Sequence, residues 1–510
     1  MKLSNAAGLI ASSLGMAIAM SLSSLFLWKS NWLVVPDGSF YDSHGISLSI
    51  GVVASALVFV GCCACRKGLH VLIERVVPAL TLAALVLSGA PLTADARWLL
   101  GFALPVVGAY ALAFAWFYVI SIKDVEDSLI TLLLAWVISF FVRIVFEFFD
   151  GPLSSWLASI GLFAASWLLL LWSLRSADRF SPMVTSTFSR NRVSYRYALK
   201  NFWRSALYLG AFGFLSGVVR FVAIDSAAMT VINYCSALAG LIGPLVLMAL
   251  WQRRTIRYNI DGVFRFAYPL MVVTLVLLPF FTGAPFVVLA AALYMVYSFV
   301  SLSVEALSIQ VSHDYGIDPT FCFGFQVFVA VAAQGFGYLL GVAAPAGAAF
   351  GLSSSAVIAL GSLGFLALVL YGTRALHPSR SEESRPIEFL SLAQMPAAAD
   401  GGISDGSFDL EGGLADDAEA GGEGEGALVD EPRYEDKTAL RCDLIGRKYA
   451  LSQREIEVMA LVARGYTISS IASKLFISDN TVKTHLRRLY QKLDIHKKQE
   501  LFALINSYVD

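Results

Sequence analysis

Apolar runs of roughly 20 residues recur through the first 375 residues of this chain, and each is about the length of helix that crosses a ~30 Å hydrocarbon core. Twelve such runs stand near residues 8–27, 46–65, 74–92, 98–120, 128–149, 155–174, 203–222, 227–250, 266–283, 285–311, 320–342 and 351–373. In lipid each backbone N–H and C=O must be satisfied within its own segment, so the runs predict an all-α, polytopic membrane bundle. The composition agrees: 57% of residues are hydrophobic and 15% charged, whereas soluble domains carry about a quarter charged. The third run is the weakest, with Glu74 and Arg75 at its start and Pro78 and Pro91 interrupting it. The first run, behind Lys2, is long for a signal-peptide core and is followed by eleven more, so it is read as a span.

Lys and Arg in short loops mark the cytoplasm. Placing the N-terminus inside puts Arg66, Lys67, Lys123, Arg175, Arg179, Arg190, Arg192, Arg196, Lys200, Arg253, Arg254 and Arg257 inside and leaves Lys29 and Arg97 outside. An even number of spans returns the C-terminus to the same side. Both termini are therefore expected in the cytoplasm, with the body in the cell membrane. Among Cys62, Cys63, Cys65, Cys235, Cys322 and Cys442 the spacing of Cys62 and Cys65 has no second C-x-x-C to pair with, and the first three read as small buried or interfacial thiols, with a redox or lipidation role as the alternative.

The basic loop from Arg175 to Arg204 divides the spans six and six. In layout this resembles major-facilitator-type transporters, built from two six-helix halves. That family's loop after the second span carries Gly and Asp before a basic turn. Here it is matched by Gly61 and the Arg66, Lys67, Gly68 run, with no acid at the Asp position. The domains then read as 1–375, membrane body, expected to act as the sensor; 376–437, linker; and 438–510, a small helical module. From Glu382 to Asp436 sixteen acidic residues face two basic ones, a net of about −14, and such a segment reads as an extended, solvated tether. A second reading lets its acids compete with another polyanion for a basic face of the module.

From Arg447 to Asp510 eleven basic residues face six acidic ones, a net of about +5, which suits phosphate attraction. Ser452 with Glu455 is an S-x-x-E capping box opening a helix that buries Ile456, Met459 and Leu461 or Val462. Gly465 ends it, and a second helix turns Ile468, Ile471, Ala472 and Leu475 inward. Ser478 caps a third, with Asp479 in its first turn. Val482, Leu486, Leu489 and Leu493 form one stripe of that helix, while Asn480, Lys483, Thr484, Arg487, Arg488 and Gln491 form the other. One face anchored and one presenting donors is what a recognition helix in the major groove requires. A fourth helix, about Lys498 to Tyr508, has Leu501, Leu504, Ile505 and Tyr508 apolar.

The run L-S-Q-R-E-I-E-V from Leu451, with T-V-K-T-H-L from Thr481 and K-L at Lys492, resembles the LuxR/GerE-type DNA-binding domain. The resemblance implies a four-helix helix-turn-helix that binds double-stranded DNA as a homodimer through its fourth helix. It implies base contacts from Lys483, Thr484 and Arg487 and backbone contacts from Ser478, Thr481, Arg488 and Lys492. Two departures are mild: Tyr466 to Ser470 replaces a commoner polar stretch, and Asp494 stands where the family usually has Gly. His485 has no second ligand at metal spacing and reads as a packed or phosphate-side residue.

Charges inside spans are costly and therefore informative. Arg143 and Glu147, four apart in the fifth run, can pair on one helical face; Arg220 lies near the outer end of the seventh and Glu305 deep in the tenth. They read as interhelix ion pairs or as a solute or proton site. No nucleophile, metal or phosphate-loop constellation suggests an enzyme or a cofactor. The expectation is a membrane-tethered one-component transcription regulator sensing an unknown small molecule through its body; the alternative is a secondary transporter with a regulatory DNA-binding tail.

Overall fold

The computed structural model describes residues 3–28, 40–149, 151–175, 182–189, 191–223, 228–253, 256–258, 260–277, 283–375 and 387–389, and in the C-terminal module 442, 445–446, 448–449, 451–463, 466, 468–475, 479–495, 500–501 and 504–505. Each apolar run has a helix over most of its described residues. These are α1 (Leu3–Trp28), α2 (Phe40–Ala64), α3 (Arg66–Leu87), α4 (Ala94–Ser121), α5 (Val125–Glu147), α6 (Pro152–Arg175), α7 (Arg192–Ala223), α8 (Ala228–Arg253), α9 (Ile260–Leu277), α10 (Ala284–Tyr315), α11 (Pro319–Ala343) and α12 (Ser354–Ala375). Among the described residues ten helices are long and apolar enough to cross a membrane, while the apolar stretches in α1 and α9, Ala7–Leu22 and Gly262–Thr274, are shorter.

Pro78 does not break α3. A proline lacks an N–H and its ring crowds the carbonyl four residues back; for Pro78 that is Glu74, which lies in a π turn over Leu72–Val76. The Glu74 carbonyl accepts instead from Trp167 Nε1 of α6 at 2.9 Å. Pro105 repeats the device in α4, behind a π turn at Leu99–Ala103.

The two six-helix halves meet along α2 with α11 and α5 with α8, and α7 packs most closely against α11. Glycine makes that last approach possible: a Cβ on Gly217 would strike the Gln334 carbonyl, and one on Gly337 the Phe214 carbonyl. One continuous core runs through both halves, including Trp116, Phe117, Tyr195, Phe212 and Tyr294.

Contacts between loops settle which helix ends share a side. Lys123, after α4, donates from Nζ to Ser12 Oγ in α1 at 2.9 Å, and Ser12 Oγ lies 3.5 Å from Ser173 Oγ near the end of α6. Arg66, after α2, donates from Nη2 to the Met183 carbonyl, after α6, at 2.9 Å and pairs with Asp318, between α10 and α11. A short strand after α8, β1 (Ile256–Tyr258), pairs antiparallel with β2 (Ile387–Phe389) beyond α12. The ends of α2, α4, α6, α8, α10 and α12 thus lie together, as alternate crossing requires. This ladder is a small addition to an otherwise helical fold, and it places part of the acidic linker, Ile387–Phe389, against the body; residues 390–437 lie outside the described set.

Candidate DNA-binding surface and membrane-embedded charges

The C-terminal module has its own core. Helices α13 (Gln453–Ala463), α14 (Ile468–Leu475) and α15 (Asp479–Leu493) close around Val458, Met459, Val462, Ile471, Val482, Leu489 and Leu493. Cys442, Ile445, Tyr466, Leu501 and Ile505 complete it, with Ile456, Leu461, Ile468, Leu475, Leu486 and Leu504 packed against its edge. The capping box forms reciprocally: the Ser452 N–H donates to Glu455 Oε2 at 2.7 Å and the Glu455 N–H to Ser452 Oγ at 3.3 Å.

With Val482 and Leu489 fully buried, α15 turns Thr481, Lys483, Thr484, Arg487, Arg488, Gln491 and Lys492 outward. Ser478 and the side chain of Asn480 lie outside the described residues. Lys483 and Arg487, one turn apart and exposed, present long donors that suit base edges or phosphates. Lys492 has a structural partner that the sequence reading did not anticipate: its Nζ donates to the buried Glu455 carboxylate at 2.7 Å, tying α15 to the start of α13. Burial by itself would raise the Glu455 carboxyl, but the Lys492 and Ser452 hydrogen bonds hold it below the ordinary range. His485 is half-buried, and its Nδ1 has no hydrogen-bond partner among the described residues.

In the membrane body the predicted charges have different surroundings. Glu305 is buried and accepts from Trp136 Nε1 at 2.9 Å and from Ser301 Oγ at 3.4 Å. It makes no ion pair among the described residues, so for Glu305 the ion-pair reading is replaced by hydrogen bonds to neutral donors. Arg220 donates from Nε to the Tyr294 hydroxyl at 2.9 Å, and Ser216 Oγ donates to the same oxygen at 3.0 Å. The Nε of Arg143 is buried without a hydrogen-bond partner among the described residues. The Glu147 side chain lies outside the described set, and with it the expected pair.

Comparison with known proteins bears on both parts. The family model described as "Bacterial regulatory proteins, luxR family" matches residues 449–505. The C-terminal module is a luxR-type helix-turn-helix. Over 62 residues it is 44% identical to the Oxygen regulatory protein NreC of Staphylococcus carnosus (strain TM300), which is 12% of this chain and 29% of that protein. Over 54 residues it is 44% identical to the HTH-type transcriptional regulator MalT of Yersinia pestis (strain Pestoides F), 11% of this chain and 6% of that one. The chain thus spans less than a third of these relatives. The body is similar to the outward conformation of the Major Facilitator Superfamily transporter FucP (14% identity, TM-score 0.44, 72% of this chain and 97% of that one). It is also similar to the proton:xylose symporter XylE (12%, TM-score 0.45, 73% and 96%).

The luxR-type module accounts for its departure at Asp494. This residue follows α15 with φ +53°, the left-handed region where a glycine is free of Cβ strain. Tyr466, the other departure, is a core residue whose N–H caps α13 through the Leu461 carbonyl at 3.1 Å.

Sequence reasoning missed a buried polar cluster on the linker side of the body. Asp318 caps α11 and is fully buried. It pairs with Arg66 and, at 2.8 Å, with His70 Nε2, and it accepts the Thr320 N–H at 2.9 Å. Burial alone would raise its carboxyl; the charges of His70 and Arg66 and the hydrogen bonds hold it well below the ordinary carboxylate range. The acid that the loop after α2 lacks is supplied from the start of α11, in the other half of the bundle. A lone Asp some 250 residues away carries no local signal of that pairing.

Proposed function

We propose that this protein is a membrane-tethered, one-component transcription regulator: α15 of the luxR-type module reads DNA, and the helical body receives the signal. The observation that carries the reading is the fusion itself. One chain joins a multi-pass bundle to a DNA-binding module whose exposed helix face carries Lys483, Thr484, Arg487 and Arg488. On this reading both termini are cytoplasmic and the bundle lies in the inner membrane, where basic loops on the linker side agree with the charge bias of cytoplasmic loops. By resemblance to the luxR-type family, in which the fourth helix makes the dimer contact, the DNA-bound form is a homodimer joined around Leu504. Regulation, not enzymatic turnover, is the activity.

The test is genome-wide mapping of DNA bound to the intact, membrane-located protein, paired with the Lys483→Ala, Arg487→Ala variant. Discrete sites lost in the variant support the reading; no enrichment over the variant rejects it. Uptake of labelled solute by vesicles, with no discrete DNA sites, would instead favour a transporter with a regulatory tail.

A further inference from the structure

We propose that the cavity between α2 and α11 binds a single-chain alkyl molecule dissolved in the membrane, so that the signal reaches the body from the bilayer and not from water. This rests on the reading of the body as the part that receives the signal and gives that signal a chemical class. The cavity holds about 910 Å³ and runs from Gly45 to Val53 on α2 and from Ala332 to Val342 on α11. At the helical rise that is about 12 Å along the first helix and about 15 Å along the second. Both stretches lie toward the helix ends away from the linker.

Small side chains hollow the cavity out. Gly45 and Ser49 stand one turn apart on α2, and α11 faces them with Ala332 and Gly335; a Cβ on Gly335 would meet nothing within 4 Å. The floor is a patch apart from the main core. Leu48 and Tyr338 are buried there, and Phe221 of α7 packs against them with its ring 5.8 Å from that of Tyr338. Val53, Phe336 and Leu339, each more than half exposed, form the rim. In a multi-pass bundle such flanks meet lipid tails, so the mouth opens sideways into the membrane.

The lining selects an apolar occupant. Among the described residues no charged side chain lines the cavity, and the Ser49 hydroxyl donates to the Gly45 carbonyl of its own helix at 2.9 Å. An ion or a polyhydroxy solute would lose its hydration there with too few partners to replace it. An alkyl chain instead gains close contacts on several sides, the term that drives association inside a membrane. The volume falls within the roughly 300–1,000 Å³ of small-molecule sites. Because α2 belongs to the first half and α7 and α11 to the second, the site is continuous with the seam along which the halves meet. It exists only while α2 and α11 lie side by side at that end, so a bound chain favours that arrangement. The same two helices lead to Arg66 and Asp318 at their linker ends.

The experiment uses the full-length protein in vesicles of phosphatidylethanolamine and phosphatidylglycerol, with dodecanol carrying a diazirine on its chain as the probe. After illumination, label should concentrate on the peptides holding residues 45–53 and 332–342, saturate with probe and be displaced by excess plain dodecanol. Gly335→Leu fills the open space and should remove the saturable label. Ser49→Leu should do the same from the opposite wall, which keeps the test decisive where one variant fails to fold. Gly364 on α12 also has nothing within 4 Å of a Cβ but stands outside the cavity, and Gly364→Leu should leave the label unchanged.

Label spread evenly over the lipid-facing helices, or saturable label kept in a folded Gly335→Leu chain, would overturn the proposal. So would a cavity labelled by diazirine-bearing phosphatidylglycerol and not cleared by dodecanol, since bilayer lipid would then be its occupant. Labelling is read without DNA, so its failure leaves the regulatory reading standing, and an absence of discrete DNA sites in the mapping experiment would leave the cavity result standing.

Discussion

Lys483 and Lys492 look alike in the sequence, two lysines on the polar stripe of one helix, yet their surroundings give them different work. Lys483 projects freely from α15, whereas Lys492 neutralises the buried Glu455 carboxylate. Lys483→Ala should therefore lower specific DNA affinity by about 1–3 kcal/mol while leaving the melting temperature of the module alone, checked by gel-shift titration beside thermal unfolding. Lys492→Ala should lower stability by about 1–2 kcal/mol, the loss of a charge-assisted bond discounted for the partial exposure of the lysine. If Lys492 were a phosphate contact alone, stability would not change. The same pair gives a pH dependence. Because the Glu455 carboxyl is held below its ordinary range, its contribution is full above about pH 4.3 and is lost as pH falls further. Glu455→Gln should flatten the acid limb of the pH–stability curve. At Asp494, the positive φ means that Asp494→Gly should raise stability by roughly 0.5–1 kcal/mol.

At the scale of elements, what was legible in the sequence is what depends on neighbours along the chain. Twelve apolar runs became α1 to α12, the capping box formed as spelled by Ser452 and Glu455, and the stripe of Val482, Leu489 and Leu493 went inward. What was not legible depends on partners far apart. The π turn before Pro78 is matched by an indole from α6, the acid facing Arg66 comes from α11, and β2 of the linker finds its partner in β1 after α8. A three-residue strand inside an acidic tether has no periodicity to announce it, and its register, Arg257 opposite Glu388, exists only once the helices have brought the segments together. Glu388→Pro removes a backbone donor from the middle of that ladder. It should leave operator binding by the module unchanged and make the linker after α12 more readily cut by limited proteolysis in the full chain. Equal cleavage rates would show that the ladder does not restrain the tether.

For the whole molecule, the question is how the two halves of the body communicate with a tether that leaves from one end of it. On the side where the linker departs, Asp318 of the second half holds Arg66 and His70 of the first, and Arg66 also donates to the carbonyls of Met183 and Val184 in the segment joining the halves. This cluster ties the two halves and the segment between them together on the linker side. Its Asp318 side chain is 0% exposed and its Arg66 side chain 9%, so removing the Asp318 charge leaves a buried Arg66 without its carboxylate. Asp318→Asn should therefore loosen the contact between halves at that end. Transcription from a target promoter should change while the operator affinity of the module does not. A double-mutant cycle distinguishes this coupling from general damage: if Arg66 and Asp318 act through one another, Arg66→Ala combined with Asp318→Asn should change output no more than the larger single substitution. Independent, additive effects of the two would mean that the pair does not link the halves. Unchanged output in Asp318→Asn, with the protein folded and in the membrane, would remove the linker-side cluster from the signalling route altogether.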